Sequence, residues 1–173
     1  QALAINAVRP LRHIYIVDIN PDRATALSNK LSTELKATIT CSPCQDAIEN
    51  AQIIATTTPS KTPIIMADWV QPGTHINAMG ADAPGKQELD PQLLKQGILV
   101  VDDLYQATHS GEINVPLQNG DITESDINGS LGGILANDQT GRNTATDISI
   151  FDSTGLAVQD LALAEYVYKT YIK

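Results

Sequence analysis

Asp82 stands between Gly80 and the pair Pro84-Gly85 in the stretch Asn77-Ala-Met-Gly-Ala-Asp-Ala-Pro-Gly-Lys-Gln-Glu-Leu89. The run before it, Gly73-Thr-His-Ile76, reads as a short buried strand, which puts Asp82 just past a strand's carboxyl end. Open α/β sheets bind their ligands at that edge. Gly80 lets backbone approach a ligand closely, and Pro84-Gly85 fixes a turn. A carboxylate held there can move a proton or orient a substrate. Lys86 and Glu88 alongside read as exposed charges or a local ion pair.

Other strand ends carry polar groups too. Asp18 ends His13-Ile-Tyr-Ile-Val17 and precedes a helix opened by Pro21. An acid in that position hydrogen-bonds the adenosine ribose in dinucleotide-binding folds, and it also serves as an ordinary helix cap, so both readings stay open. Ile19 and Asn20 follow it with no arginine for a 2′-phosphate, which favours NAD over NADP. Thr56-Thr57-Thr58-Pro59-Ser60 closes another strand; its hydroxyls can line a nucleotide cleft or simply run into a turn. Asp152-Ser153-Thr154-Gly155 lies between the last strand and a long terminal helix. Its hydroxyls and backbone N–H groups suit an anionic or polar ligand group, or N-capping by Ser153 or Thr154.

Three further patterns point to plainer roles. Cys41-Ser-Pro-Cys44 superficially resembles a redox pair, but two unconnected thiols in a surface loop is the preferred reading. His13, His75 and His109 show no ligand spacing around that pair, and no metal site is expected. Gly129, Gly132 and Gly133 lack the lysine of a phosphate loop and sit among helically spaced Leu131, Ile134 and Leu135, so packing or flexibility is expected of them.

The elements that must position these residues alternate. Strands are expected at 13–17, 51–55, 73–78, 98–101 and 147–151, with a possible short one at 37–40. Helices are expected over 1–8, 21–35, 46–50, 90–95 and 155–172. Short continuous apolar strands separated by helices indicate a parallel sheet covered on both faces. The section 112–142, rich in Gly, Asn and Asp, reads as short helices and turns. The stripe Leu156, Leu161, Ala164, Val167 and Tyr168 of the terminal helix reads as core or interface. The class is α/β, one domain over 1–173.

The 173 residues, 42% hydrophobic and 18% charged, describe an ordinary globular domain with room for a core. A net charge of −9 lacks the basic footprint of a nucleic-acid or anionic-membrane partner. No segment reads as a transmembrane span or a secretory signal. Two cysteines are too few for a disulfide scaffold, so a reducing, cytoplasmic setting is expected. The Gly-rich turn that belongs about 20 residues before the ribose acid is absent. The leading helix fits one that would follow such a turn, so the expectation is a doubly wound sheet lacking its first strand and phosphate loop.

In order along the chain, Ile53–Pro63, Gly73–Leu89, Ser110-Gly-Glu-Ile113 and Ile148–Asp160 resemble the ornithine cyclodeaminase/mu-crystallin family, nearest its archaeal-type alanine dehydrogenase branch. The resemblance spans nearly the whole chain and implies the NAD(H)-binding, Rossmann-type half of a protein about twice as long. It further implies a homodimer formed through a separate domain, which also supplies the catalytic lysine and the substrate-binding arginines. Carried over by position, Asp18 would hold the ribose, and Thr56, Thr57 and Thr58 would border the cofactor. Met79, Gly80 and Ala81 would approach the nicotinamide side, Ser153 would contact it, and Asp82 would be the acid beside the reacting carbon. Gly133 stands where the family often has an acid, a local departure. The implied reaction is hydride transfer from C2 of a small L-amino acid, with alanine dehydrogenase expected first. Ornithine cyclodeaminase and a non-catalytic cofactor-binding protein are the alternatives.

Overall fold

A computed structural model describes residues 1–172. Seven short strands, β1 (His13–Ile16), β2 (Thr38–Cys41), β3 (Ile53–Thr56), β4 (His75–Ala78), β5 (Ile98–Val101), β6 (Ile127–Ser130) and β7 (Ser149–Asp152), all pair in parallel. They form two sheets: β1-β2, and a five-stranded sheet in the order β3-β4-β7-β5-β6. Parallel neighbours require crossovers, and α2 (Pro21–Glu34), α3 (Cys44–Asn50), α4 (Pro91–Gln96), α5 (Leu104–Ser110), α6 (Asn114–Asn119) and α7 (Leu131–Leu135) lie in them; α1 (Ala2–Val8) precedes β1 and α8 (Ala157–Tyr171) follows β7.

The cores follow the two sheets. Beneath the larger one, Ile76, Leu89, Leu93, Leu94, Leu99, Ile113 and Ile150 are fully buried in one apolar cluster. Each such side chain contributes about 1.5–3 kcal/mol on leaving water. Strand β5, Ile-Leu-Val-Val, reads as an unbroken apolar run, as a parallel strand buried on both faces requires, while β7 has Ile150 and Phe151 between Ser149 and Asp152. A separate cluster of Ile16, Ala24 and Leu31 seats α2 on β1-β2. Asn20 caps α2 by accepting from the N–H groups of Asp22 and Arg23, and Pro21 takes the first helical position, where its missing N–H costs nothing.

The expected strands and helices are present with boundaries shifted by a residue or two, and the possible strand at 37–40 is β2. Two elements depart from expectation. The section read as helices and turns contains a strand, β6, whose Asn128 and Gly129 are poor strand formers. Pairing with β5 overrides that preference: Leu99 N–H donates to Asn128 Oδ1 at 2.7 Å, and the register shifts between Leu99 and Val100. Helix α5 was also unexpected; it begins where Asp103 accepts from Gln106 N–H. The terminal stripe is not core among the described residues, since no residue of α8 is buried.

Candidate functional site

Strand register brings most of the singled-out residues to one edge. Thr56 of β3 lies opposite Ala78 of β4, Ala78 opposite Asp152 of β7, and Asp152 opposite Val101 of β5. The row continues one residue further: Met79 N–H donates to Thr56 O, Ser153 N–H to Ala78 O and Asp102 N–H to Asp152 O, at 3.0 to 3.1 Å. Thr57-Thr58, Met79–Asp82, Ser153–Gly155 and Asp102 therefore leave adjacent strands together at the carboxyl edge. Asp18 leaves the carboxyl end of β1 in the other sheet. The helix-cap reading falls to Asn20. Asp18 is exposed and uses Oδ1 to accept Asn20 N–H at 2.7 Å.

Asp82 is exposed and pairs with Lys86 four residues on. That hydrogen bond, with the ammonium charge behind it, holds its carboxyl below the usual range. Asp82 is therefore an ionised acceptor near neutral pH. At Gly80 the close approach is to the protein's own atoms. A Cβ there would collide with the backbone of Thr58 and with Glu88 Oε2, so the glycine permits a close approach between two loops of the protein itself.

Glu88, expected to be an exposed charge, is completely buried. Its Oε1 accepts Thr58 N–H at 2.6 Å and its Oε2 accepts Gly80 N–H at 3.0 Å. Glu112, equally buried, accepts the N–H groups of Glu88 and Leu89 at 2.8 and 2.6 Å. Asp152 in turn accepts those of Glu112 and Ile113 at 2.9 and 3.3 Å. Burial pushes Glu112 up to about 8 against the pull of the N–H groups of Leu89 and Glu88. Burial likewise pushes Asp152 up to about 7, with the Asp102 charge adding to it.

The turn after β7 also differs from expectation. Its N–H groups are not free for an anion, because Asp102 Oδ2 accepts those of Thr154 and Gly155 at 2.7 and 2.9 Å. The Ser153 hydroxyl donates to the same oxygen at 3.2 Å. Neither Ser153 nor Thr154 caps α8; its N-cap is Leu156, without a side-chain bond. Asp102 and Glu112, not singled out from the sequence, and Glu88, expected to be exposed, are the buried acids that order these loops. The available signal was an acid flush against apolar residues in Glu88-Leu89 and Glu112-Ile113.

The cysteines remain free thiols, Cys41 exposed, and Cys44 donates weakly to Ile64 O at 3.5 Å. Burial raises the Cys44 thiol, the opposite of redox activation. Among the described residues no group of three potential metal ligands comes together, and no helix is long and apolar enough to cross a membrane.

Parallel strands, helical crossovers and polar loops gathered at the carboxyl edge define a Rossmann-type α/β domain. A model of the ornithine cyclodeaminase/mu-crystallin family matches residues 1–173, and the chain belongs to that family. It is 50% identical over 127 residues to an alanine dehydrogenase of Archaeoglobus fulgidus, covering 73% of this chain and 39% of that protein. Its structure superposes with a TM-score of 0.93 on an archaeal alanine dehydrogenase dimer with bound NAD, at 41% identity, over 98% of this chain and 52% of that one. A Thermococcus litoralis Δ1-pyrroline-2-carboxylate reductase in complex with NADH and L-proline gives the same TM-score at 31% identity, over 98% and 53%. The chain thus spans about half the length of the relatives it matches, and the family comprises NAD-dependent oxidoreductases and cyclodeaminases.

Proposed function

We propose that the chain is the NAD-binding half of an L-amino-acid dehydrogenase, with L-alanine as the first candidate substrate. The observation that carries this reading is the row Thr56–Ala78–Asp152–Val101, which gathers Asp82, the threonine loop and the Ser153 turn at one carboxyl edge. The residues present fit the cofactor. Asp18 offers an exposed carboxylate for a ribose, and the Thr56 hydroxyl is buried without a hydrogen-bond partner among the described residues. Thr57, Thr58, Met79, Gly80, Ala81 and Ser153 would border the nicotinamide side. Bound NAD would supply the hydride acceptor.

The rest falls to the protein. Asp82, ionised beside Lys86, accepts a hydrogen bond from the substrate's ammonium or from the water that attacks the C2 imine. Net reaction converts L-alanine, NAD⁺ and water to pyruvate, ammonium, NADH and one proton. In a cyclodeaminase the substrate's own side-chain amine attacks instead, and these same residues serve both outcomes. The resemblance of Asn77–Leu89 to the dehydrogenase branch sets the order. Half-length coverage and the unpaired edges of β1 and β3 support a first strand, phosphate loop and dimer-forming substrate domain supplied from elsewhere in the natural protein. On this reading the complete protein is a cytoplasmic homodimer, and the 173-residue chain alone does not turn over.

The complete natural protein should form NADH with NAD and L-alanine. Proline from L-ornithine without net NADH would overturn the dehydrogenase reading; NADH binding without turnover of either would place the protein among non-catalytic binders. Replacing Asp82→Asn should lower kcat by about 10²–10⁴-fold with NADH binding retained. Unchanged turnover would remove Asp82 from the mechanism.

A further inference from the structure

We infer that Glu88 is a positioning residue: its two carboxylate oxygens clamp the loops after β3 and β4 together, and so fix where Asp82 stands. Resting on the reading above, this assigns the clamp to the same site. Thr58 and Gly80 belong to the loops that leave β3 and β4 at the carboxyl edge, and each gives its N–H to a different oxygen of this one buried side chain. Gly80 fits only because nothing projects from its α-carbon toward Thr58 and Glu88. Asp82 lies two residues beyond Gly80, and Asp82 N–H donates to Gly80 O at 3.0 Å.

The clamp is anchored in turn. Glu112 grips the backbone N–H of Glu88 itself, and Asp152, next to Ser153, grips that of Glu112. Asp152, Glu112 and Glu88 therefore form a chain of side-chain-to-backbone holds running from the Ser153 turn to the Asp82 loop. Its links join residues 40, 24 and 8 apart in sequence, and a further hold, from Glu88 to Thr58, spans 30. Within that loop Ala81 is buried while Asp82 is exposed, and Asn114 holds the far side, accepting Gly85 N–H at 3.0 Å and donating to Lys86 O at 3.1 Å. The buried Glu88 carboxylate holds the near side, where the loop leaves β4.

Glu88→Gln preserves shape but turns an NH₂ group toward one of the two backbone donors, which breaks one hold. In the complete protein with NADH bound, amide exchange at Thr58 or Gly80 should rise by at least about 10-fold, with exchange in β4, β5 and β7 unchanged. Turnover of the amino acid should fall by about 10–100-fold with KM for NAD within about threefold, because misplacement weakens catalysis more than binding. The deuterium isotope effect with C2-deuterated substrate should rise as hydride transfer becomes limiting. Unchanged exchange at both amides overturns the clamp. A turnover loss matched by faster exchange throughout the sheet also overturns it, in favour of a structural acid. Should the wild-type protein turn over no amino acid, the functional reading fails while the exchange measurement still decides the clamp.

Discussion

Asp82 and Lys86 divide the labour between a reacting group and its tuner. The Lys86 ammonium lowers the Asp82 carboxyl, so Lys86→Met should move the acid limb of the kcat/KM profile of the complete protein to higher pH. An unmoved limb would mean that another group titrates there. Glu112 and Asp152 shift the other way, from ordinary values of 4.5 and 3.8 to about 8 and about 7. Between those limits the folded protein keeps protons that the unfolded chain has released, so stability falls as pH rises through the window. The slope approaches 1.4 kcal/mol per pH unit for each proton retained. Thermal midpoints measured from about pH 5 to about pH 8 should decline, and Glu112→Gln should flatten that decline. Asp82 was legible in the sequence because strand end, glycine and turn surround it within a few residues. Glu88 was not, because its burial is created by Thr58 and Glu112, each more than 20 residues away.

At the scale of elements, periodicity revealed what was locally consistent. Strand β5, Ile-Leu-Val-Val, announces itself as a buried parallel strand. Strand β6, Ile-Asn-Gly-Ser, carries no such pattern and exists because β5 offers it a hydrogen-bonding edge. The turn before α8 was misread for a similar reason, since Asp102 reaches it from the end of β5, 51 to 53 residues away. The junction of the β3 and β4 loops is equally non-local. Gly80→Ala should force Thr58 and Glu88 apart, costing about 1–3 kcal/mol in denaturant unfolding with most of the turnover lost. A neutral alanine there would mean that the two loops can separate without consequence.

Across the whole molecule, the two sheets carry separate cores, and α8 belongs to neither. Its Val158, Leu161, Leu163, Tyr166 and Tyr168 all stay more than 60% exposed. A helix apolar around its circumference is built for burial. The 173-residue chain alone should therefore self-associate as its concentration rises, whereas the complete protein should sediment as one defined species; a strictly monomeric chain would contradict this. The fold class was readable from alternation alone, while the fate of α8 was not, since nothing in a helix's own sequence states what it packs against. The linked acids at the carboxyl edge bear on ancestry as well as on mechanics. Asp152 holds Glu112, Glu112 holds Glu88, and Glu88 holds Thr58, so losing one acid leaves the next residue's N–H without its partner. Over evolutionary time these three positions should drift as a set or not at all, and a lineage that has replaced one acid should carry compensating changes at the other two.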